Sequence, residues 1–361
     1  MCYNFSGDYM LELLSENKNV WDAICESELP IVVYGMGNAS QRIISLIENK
    51  GGKISDVFAS DEFVRGHYFL GHKVLKYSEV CEKYADFIVV LGFATRLDDV
   101  LNNIERISKE HIVLAPDIPV AGGGLFTYEY VKENEKDFDF VYSNLADEKS
   151  RKTFINIINF KISGKVEYLF NNYSDKDDIY KEILKLNEEE IIADLGAYDG
   201  DTIREFTSFT NGKYAHIYAL EPDEKNFRKL EKNTAEMDEI TLYNMGAWSK
   251  RDTLIFAKKA GRNSKLSGEG VSVEVSDIDS LINKKITLLK MDIEGSELKA
   301  LEGAEKTIKE YKPKLYICAY HRNEDLFTLG RKILSLGDYE LYFRQSKYIP
   351  AWECNFYAVH K

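Results

Sequence analysis

The chain has 361 residues, long enough for two domains, and its 44% apolar and 12% aromatic content supports packed cores rather than disorder. With 47 basic and 60 acidic residues it carries a net charge of −13, which repels a phosphate backbone on average and makes nucleic acid a poor substrate. No window reaches the ~20 apolar residues of a membrane span. The start of the chain lacks a basic region followed by an apolar core, and the five cysteines form no Cys-x-x-Cys pair, so reduced thiols and a cytoplasmic protein are expected.

Leu11, Leu13, Leu14, Val20, Trp21 and Ile24 predict helix near the N-terminus, stopped by Pro30. Ile31-Val32-Val33-Tyr34 then opens a strand–loop–helix unit, with Ile43, Ile44 and Ile47 on one helical face and Gly51-Gly52 at its end. Further strands are expected over 54–59, 86–91 and 111–115, and Leu97, Leu101, Ile104 and Ile107 mark a helix between the last two. The loop Gly35-Met36-Gly37-Asn38-Ala39-Ser40 is a partial dinucleotide fingerprint. Its third glycine, which lets helix and strand pack closely, is replaced by Ser40, and neither Asp56 nor Asp61 is well placed for a ribose. The unit resembles nucleotide-binding-type domains found beside sugar-modifying enzymes. Two readings stand: it binds a nucleotide or nucleotide-sugar, or it is structural, dimerising or degenerate.

Pro116 to Leu125, with two prolines and Gly122-Gly123-Gly124, reads as a linker. Residues 126–185 read as a helical connector, with Phe154, Ile157, Ile158 and Ile162 at helical spacing. The expected division is 1–120, a Rossmann-like N-terminal domain; 121–185, linker and connector; and 186–361, a second and larger α/β domain. The fold class is α/β, with a doubly wound Rossmann-like sheet in the C-terminal half.

That half opens on Ile191-Ile192-Ala193-Asp194-Leu195-Gly196-Ala197-Tyr198-Asp199-Gly200-Asp201-Thr202, an apolar strand ending in an acid, a glycine turn and a helix start. A phosphate loop would place Lys-Ser/Thr after its last glycine, and none is here. The acid-rich loop suits a cationic, phosphate-free ligand such as S-adenosylmethionine. A second strand ends in Glu221, spaced from the loop as the carboxylate that binds ribose hydroxyls is in doubly wound folds. Phe227 and Leu230 continue as helix. A third apolar run over 240–245 leads to Gly246-Ala247-Trp248. The polar, glycine-rich, basic loop from Lys258 to Gly270 is either a flap over the acceptor or an exposed hairpin turn. A fourth strand delivers Asp292, Glu294 and Glu297, and a fifth, from Lys314 to Ala319, leads to Tyr320-His321.

Four motifs in this order, Asp194-Leu-Gly-Ala-Tyr-Asp-Gly-Asp-Thr202, Leu220-Glu-Pro-Asp223, Lys290-Met-Asp-Ile-Glu-Gly-Ser-Glu297 and Ala319-Tyr-His321, resemble FkbM-type S-adenosylmethionine-dependent methyltransferases. The resemblance covers roughly the C-terminal half. It implies methyl transfer, commonly to a hydroxyl of a sugar or natural product.

Roles then divide by position. Asp194, Gly196, Ala197, Tyr198, Asp199 and Gly200 are expected to line the cofactor loop. Glu221 is expected on the ribose diol, and Asp223, Gly246, Ala247 and Trp248 along the adenine. Trp248 packing in the core is the plain alternative. Asp292, Glu294 and His321 are the candidate catalytic residues, with His321 as a base titrating near neutral pH. Glu297 reads as a cap on the helix of Leu298, Leu301 and Ile308, and His321 could instead be a hydrogen-bonded core histidine. Asp292, Glu294 and His321 could jointly hold a divalent cation, but no sequence-local ligand motif demands one and no metal is assigned. The expected partner is a small-molecule or glycan hydroxyl acceptor, and a homodimer stays open. The rival functions are a nicotinamide-dependent oxidoreductase using Gly35-x-Gly37 and a catalytically silent nucleotide-binding protein.

Overall fold

The computed structural model describes residues 10–64, 66–118, 121–257 and 270–361. Of the loop from Lys258 to Gly270, read as either a flap or an exposed hairpin turn, residues 258–269 lie outside the described residues. After a short helix, α1 (Val20–Cys25), come β1 (Ile31–Tyr34), α2 (Asn38–Asn49), β2 (Asp56–Phe58), the hairpin β3 (Tyr68–Phe69) and β4 (His72–Leu75), α3 (Tyr77–Lys83), β5 (Ile88–Leu91), α4 (Asp98–Ser108) and β6 (Ile112–Leu114). They build a six-stranded sheet in the order β3-β4-β2-β1-β5-β6, parallel except for β3. Every residue of β1 and β5 is buried, which is why both read as unbroken apolar runs rather than alternating ones. The β3–β4 hairpin was not expected. It is short, and Tyr68 is exposed, so no apolar run marks it.

Residues 115–118 and 121–127 run without regular structure into four helices: α5 (Tyr128–Glu133), α6 (Glu135–Ser143), α7 (Glu148–Ser163) and α8 (Glu167–Phe170). A π-helical turn follows at Asp178–Ile183. The expected connector face is buried: Phe154, Ile157, Ile158 and Ile162 are at most 1% exposed. One apolar core takes in these residues together with Val32 and Val89 of the first sheet and Leu289 and Ile317 of the second. Arg344 of the second sheet reaches Asp147 at the α7 N-terminus and Asp178 of the π-helical turn.

The second sheet contains β7 (Ile191–Leu195), followed by α9 (Asp201–Phe209), β8 (His216–Leu220), α10 (Glu224–Asn233) and β9 (Ile240–Tyr243). A separate three-stranded sheet, β10 (Gly246–Ala247), β11 (Asp252–Ala257) and β12 (Gly270–Ser276), interrupts the alternation. Then come α11 (Ile278–Leu281), β13 (Leu288–Met291), α12 (Glu297–Glu302), α13 (Glu305–Tyr311), β14 (Lys314–Cys318), α14 (Asp325–Leu336), β15 (Tyr339–Gln345) and β16 (Cys354–His360). The order is β15-β16-β14-β13-β7-β8-β9, with β16 antiparallel to both neighbours. The order therefore reverses between β7 and β13, the place where an open α/β sheet opens a ligand crevice at its carboxyl ends.

One helix expected through Leu298, Leu301 and Ile308 is two. It breaks at Gly303, where a Cβ would stand 2.1 Å from the carbonyl oxygen of Trp248, so only glycine admits that close approach. Cys25, Cys81, Cys318 and Cys354 are free thiols. No helix among the described residues is long and apolar enough to cross a membrane.

Candidate active site

At the switch point the end of β7 turns sharply. Gly196 sits at φ +84°, and a Cβ there would lie 1.9 Å from the backbone oxygen of Asp292, so the two strand ends touch through their main chains. Tyr198 at φ +49° and Gly200 at φ +86° continue the left-handed turn into α9. Strain at a non-glycine residue such as Tyr198 collects at ligand-binding loops. Lys229 stands over the Tyr198 ring at 5.3 Å. The carboxylate of Asp199 is held by Arg204 at 3.1 Å.

Two of the residues expected on the cofactor loop face inward. Ala197 is fully buried and packs in the core beneath the sheet. Asp194 is also fully buried, with its carboxylate 2.9 Å from Lys290 Nζ on the neighbouring strand. Lys290 Nζ donates in turn to the carbonyl of Gly196 at 2.9 Å. Asp194 thus shapes the loop through Lys290. Burial pushes the Asp194 carboxyl above its ordinary range, while Asp194 and Asp292 hold the Lys290 ammonium above its own despite its burial. Lys290 stands within one of the four sequence motifs but was given no role there, although a lone charge inside Leu288-Leu289-Lys290-Met291 signals a buried counter-ion.

Glu221 ends β8 and is 6% exposed. One carboxylate oxygen accepts the N–H of Tyr198 and the other that of Asp223, both at 2.9 Å. Each oxygen keeps a free lone pair, the arrangement that two vicinal hydroxyls would fill. Burial pushes this carboxyl up to about 7. Asp223, expected beside the adenine, is the exposed N-cap of α10 and accepts the N–H of Asn226 at 2.9 Å. Gly246 lies close to Pro222 and Val275 in the small sheet, with Ala247 buried and Trp248 half-buried beside it. Glu221 and the 196–200 turn thus present free carboxylate lone pairs and a left-handed main-chain turn at one edge of the sheet, with Gly246 packed against Pro222 beside them.

Beyond β13 and β14 the structure brings Asp292, Glu294 and His321 together. His321 is 1% exposed; its Nε2 is 3.3 Å from Asp292 Oδ1 and 3.8 Å from Glu294 Oε2. Glu294 reaches there from a left-handed backbone at φ +55°, followed by Gly295 at φ +92°. Tyr320 Oη donates to Asp292 Oδ1 at 3.2 Å. Glu297, read as a helix cap, is fully buried. Its Oε1 accepts the N–H of Ile293 at 2.9 Å and stands 2.9 Å from His321 Nδ1, reaching back into the loop rather than along its own helix. Glu297 and Asp292 push the imidazole well above 6.5, and His321 with Lys290 holds Asp292 well below the usual carboxylate range. The surrounding carboxylates thus favour a positive charge at this position.

Two more acids join this end of the sheet. Asp325 is 2% exposed and accepts the N–H of Arg322 at 2.8 Å. Glu353, at φ +65° just before β16, has its carboxyl pushed to about 7 by burial and by Asp292. Neither carries a sequence signal, because each is set in place by a return of the chain. The linker closes the same side. Ala121 N–H donates to His321 O at 2.9 Å, Asn323 Nδ2 to Gly124 O at 2.8 Å, and a Cβ at Gly295 would lie 2.6 Å from Ala121 Cβ.

In the first sheet, the Gly35-x-Gly37 loop is crowded at its first glycine and open at Gly37. A Cβ at Gly35 would meet the Phe93 ring at 2.7 Å, and Ser40 Oγ, where a third glycine would stand, donates to the carbonyl of Gly92 at 2.9 Å.

Residues 194–348 match the family model described as the methyltransferase FkbM domain. Among solved structures, the chain is similar to a methyltransferase FkbM from Methylobacillus flagellatus KT, with 22% identity, a TM-score of 0.71, and 98% of this chain and 93% of that one covered. This likeness shows that the arrangement of both sheets and the connector is a shared fold. An rRNA methylase from Streptococcus thermophilus has 16% identity and a TM-score of 0.33, covering 48% of this chain and 89% of its own. A methyltransferase from Streptococcus mutans, in complex with SAH, has 13% identity and a TM-score of 0.33, covering 50% and 93%. No curated protein sequence matches the chain.

Proposed function

We propose that this chain, whose residues 194–348 are a methyltransferase FkbM domain with S-adenosylmethionine as cofactor, methylates a hydroxyl oxygen of a sugar-like or natural-product acceptor. The observation that supports this reading is the group of Asp292, Glu294 and His321 at the strand ends, directly across the Gly196–Asp292 junction from the cofactor loop. Carboxylates in a half-open setting accept hydrogen bonds from hydroxyls and orient them.

When bound, the cofactor supplies a methyl group already activated on a sulfonium. What remains for the protein is alignment and proton management. Glu221 fixes the ribose, and the turn from Gly196 to Gly200, braced by Lys290, fixes the methionine end. Asp292, 30% exposed and held by Tyr320 and His321, is the carboxylate best placed to receive the acceptor hydroxyl. Glu294, 39% exposed, offers a second contact to a neighbouring hydroxyl. His321, set in place by Glu297, and Lys290 hold the Asp292 carboxyl below its usual range. Alignment of this kind contributes up to ~7–11 kcal/mol in well-oriented reactions. The N-terminal sheet would serve as a scaffold that delivers the linker to the acceptor side.

The test is transfer from S-adenosylmethionine carrying an isotope-labelled methyl group to a panel of polyhydroxylated acceptors, with the product bond read by NMR. Label on oxygen is the expected result. Label on nitrogen or carbon would sink the oxygen assignment while leaving methyl transfer intact.

A further inference from the structure

We propose that the strand-end cluster is a divalent-cation site, with Asp292, Glu294 and His321 as ligands and Glu297 as the carboxylate that orients the histidine. Three distances carry the assignment. His321 Nε2 stands 3.3 Å from Asp292 Oδ1 and 3.8 Å from Glu294 Oε2, while Nδ1, on the other side of the ring, stands 2.9 Å from Glu297 Oε1. Metal bonds of about 2.1 Å put neighbouring ligand atoms roughly 3–3.4 Å apart, which is the spacing of His321 Nε2 and Asp292 Oδ1, while Glu294 has to draw nearer. Ligating atoms of Asp292, Glu297 and His321 all lie within 4.8 Å of one another.

The histidine supplies a second, independent observation. It is 1% exposed, and among the described residues neither ring nitrogen has an aligned hydrogen-bond partner. With Nδ1 2.9 Å from Glu297 Oε1, the ring directs Nε2 at the carboxylates of Asp292 and Glu294, and once Nε2 yields its proton all three groups are acceptors. Three acceptors converging on one point repel one another unless a positive centre sits among them. A carboxylate behind the ring is also the usual partner of a metal-bound histidine, because it fixes the tautomer and raises the basicity of the ligating nitrogen. Charge points the same way. Asp292 and Glu297 both stand against the imidazole of His321, and Asp194 against Lys290.

Access suits ligand exchange. Asp292 and Glu294 are 30% and 39% exposed, with His321 and Glu297 buried behind them. Two carboxylates and one imidazole select a six-coordinate divalent cation of the Mn²⁺ type and leave positions open for acceptor oxygens. That use of the open positions rests on the oxygen-transfer reading; cation binding does not.

The experiment uses the full-length chain, stripped with a chelator and titrated with Mn²⁺ alone. Electron paramagnetic resonance counts the bound ion, and electron spin-echo modulation detects a coordinated nitrogen. One Mn²⁺ per chain with nitrogen modulation is expected. Glu294→Gln, on a half-exposed loop, should weaken binding at least about tenfold, and Glu297→Gln by ~10–100-fold with the modulation retained. His321→Gln should abolish the modulation. Absence of stoichiometric Mn²⁺ on a chain that still binds S-adenosylmethionine overturns the site, as does unchanged affinity in Glu294→Gln. No acceptor is present, so this failure is separable from a failure of oxygen transfer, which the labelled product decides.

Discussion

Lys290 and Asp194 stand directly opposite each other on the two central strands of the larger sheet, their charges 2.9 Å apart and their side chains 3% and 0% exposed. Removing one partner of such a pair strands the other charge in the core. Lys290→Met should destabilise the protein by ~3–5 kcal/mol, and the double variant Asp194→Leu with Lys290→Met should recover most of the loss. Urea denaturation of both variants checks this; equal stabilities would mean that Asp194 is neutral in the native protein.

The main-chain contact between Gly196 and Asp292 leaves no room for a methyl group. Gly196→Ala places a Cβ 1.9 Å from the Asp292 carbonyl oxygen at a φ of +84°. The strand ends must part, so a cost above ~2 kcal/mol is expected, together with loss of S-adenosylmethionine binding. Calorimetry on folded variant protein reads both. Normal cofactor affinity would show that the junction does not form the cofactor turn.

Glu221 ties stability to affinity in opposite directions. Its folded pKa, raised from 4.5 to about 7, lies above the unfolded value. The ligand-free protein therefore loses stability as pH rises through that window, by up to about 3 kcal/mol. Glu221→Gln should be more stable than the parent near pH 8 and equal to it below about pH 4.5. The same variant should bind S-adenosylmethionine ~1–3 kcal/mol more weakly, without the rise in affinity across neutral pH expected of the parent. Thermal melts and calorimetry at several pH values separate the two effects.

Arg344 should prove to be the clamp between connector and sheet. It is 2% exposed and bonds Asp147, Asp178 and the hydroxyl of Ser150. Its guanidinium holds the Asp147 carboxyl at about 2, below the usual 3.8, so this contribution is present above pH 3.8 and fades as pH falls toward 2. Arg344→Met should cost ~2–3 kcal/mol at neutral pH and flatten the acid limb of the stability profile. A melting curve that keeps the parent's acid limb would assign that limb to other carboxylates.

The N-terminal sheet should not bind a nicotinamide dinucleotide. The Phe93 ring lies against Gly35, and Ser40, standing where the third glycine would let helix and strand pack closely, bonds the Gly92 carbonyl. Titration of the full-length chain should give no heat at millimolar ligand, and saturable binding would restore the oxidoreductase reading.

The central parallel strands were legible because they bury both faces and read as apolar runs, as Ile31–Tyr34 and Ile88–Leu91 do, whereas the β3–β4 hairpin and the antiparallel pair β15 and β16 were not. The positions of Asp292, Glu294 and His321 followed, since the ends of such strands are where side chains leave the core. Glu297, Asp325 and Glu353 did not. Their burial comes from the 292–297 turn, the linker and the β15–β16 return, which are contacts between distant segments with no local pattern. Asp194 and Asp223 show the converse limit: an acid at a strand end is ambiguous between ligand contact, ion pairing and helix capping until its neighbours are known.

The hydrogen bonds from Ala121 to His321 and from Asn323 to Gly124 have a consequence for recombining the two halves. The glycine run looks like the natural seam, yet a crossover there would exchange part of the wall around His321 along with the N-terminal sheet. Modular shuffling at this seam would therefore change the surroundings of His321 even when every residue from Asp194 onward is kept. A chimera that carries Ala121 to Gly124 with the C-terminal half keeps that wall.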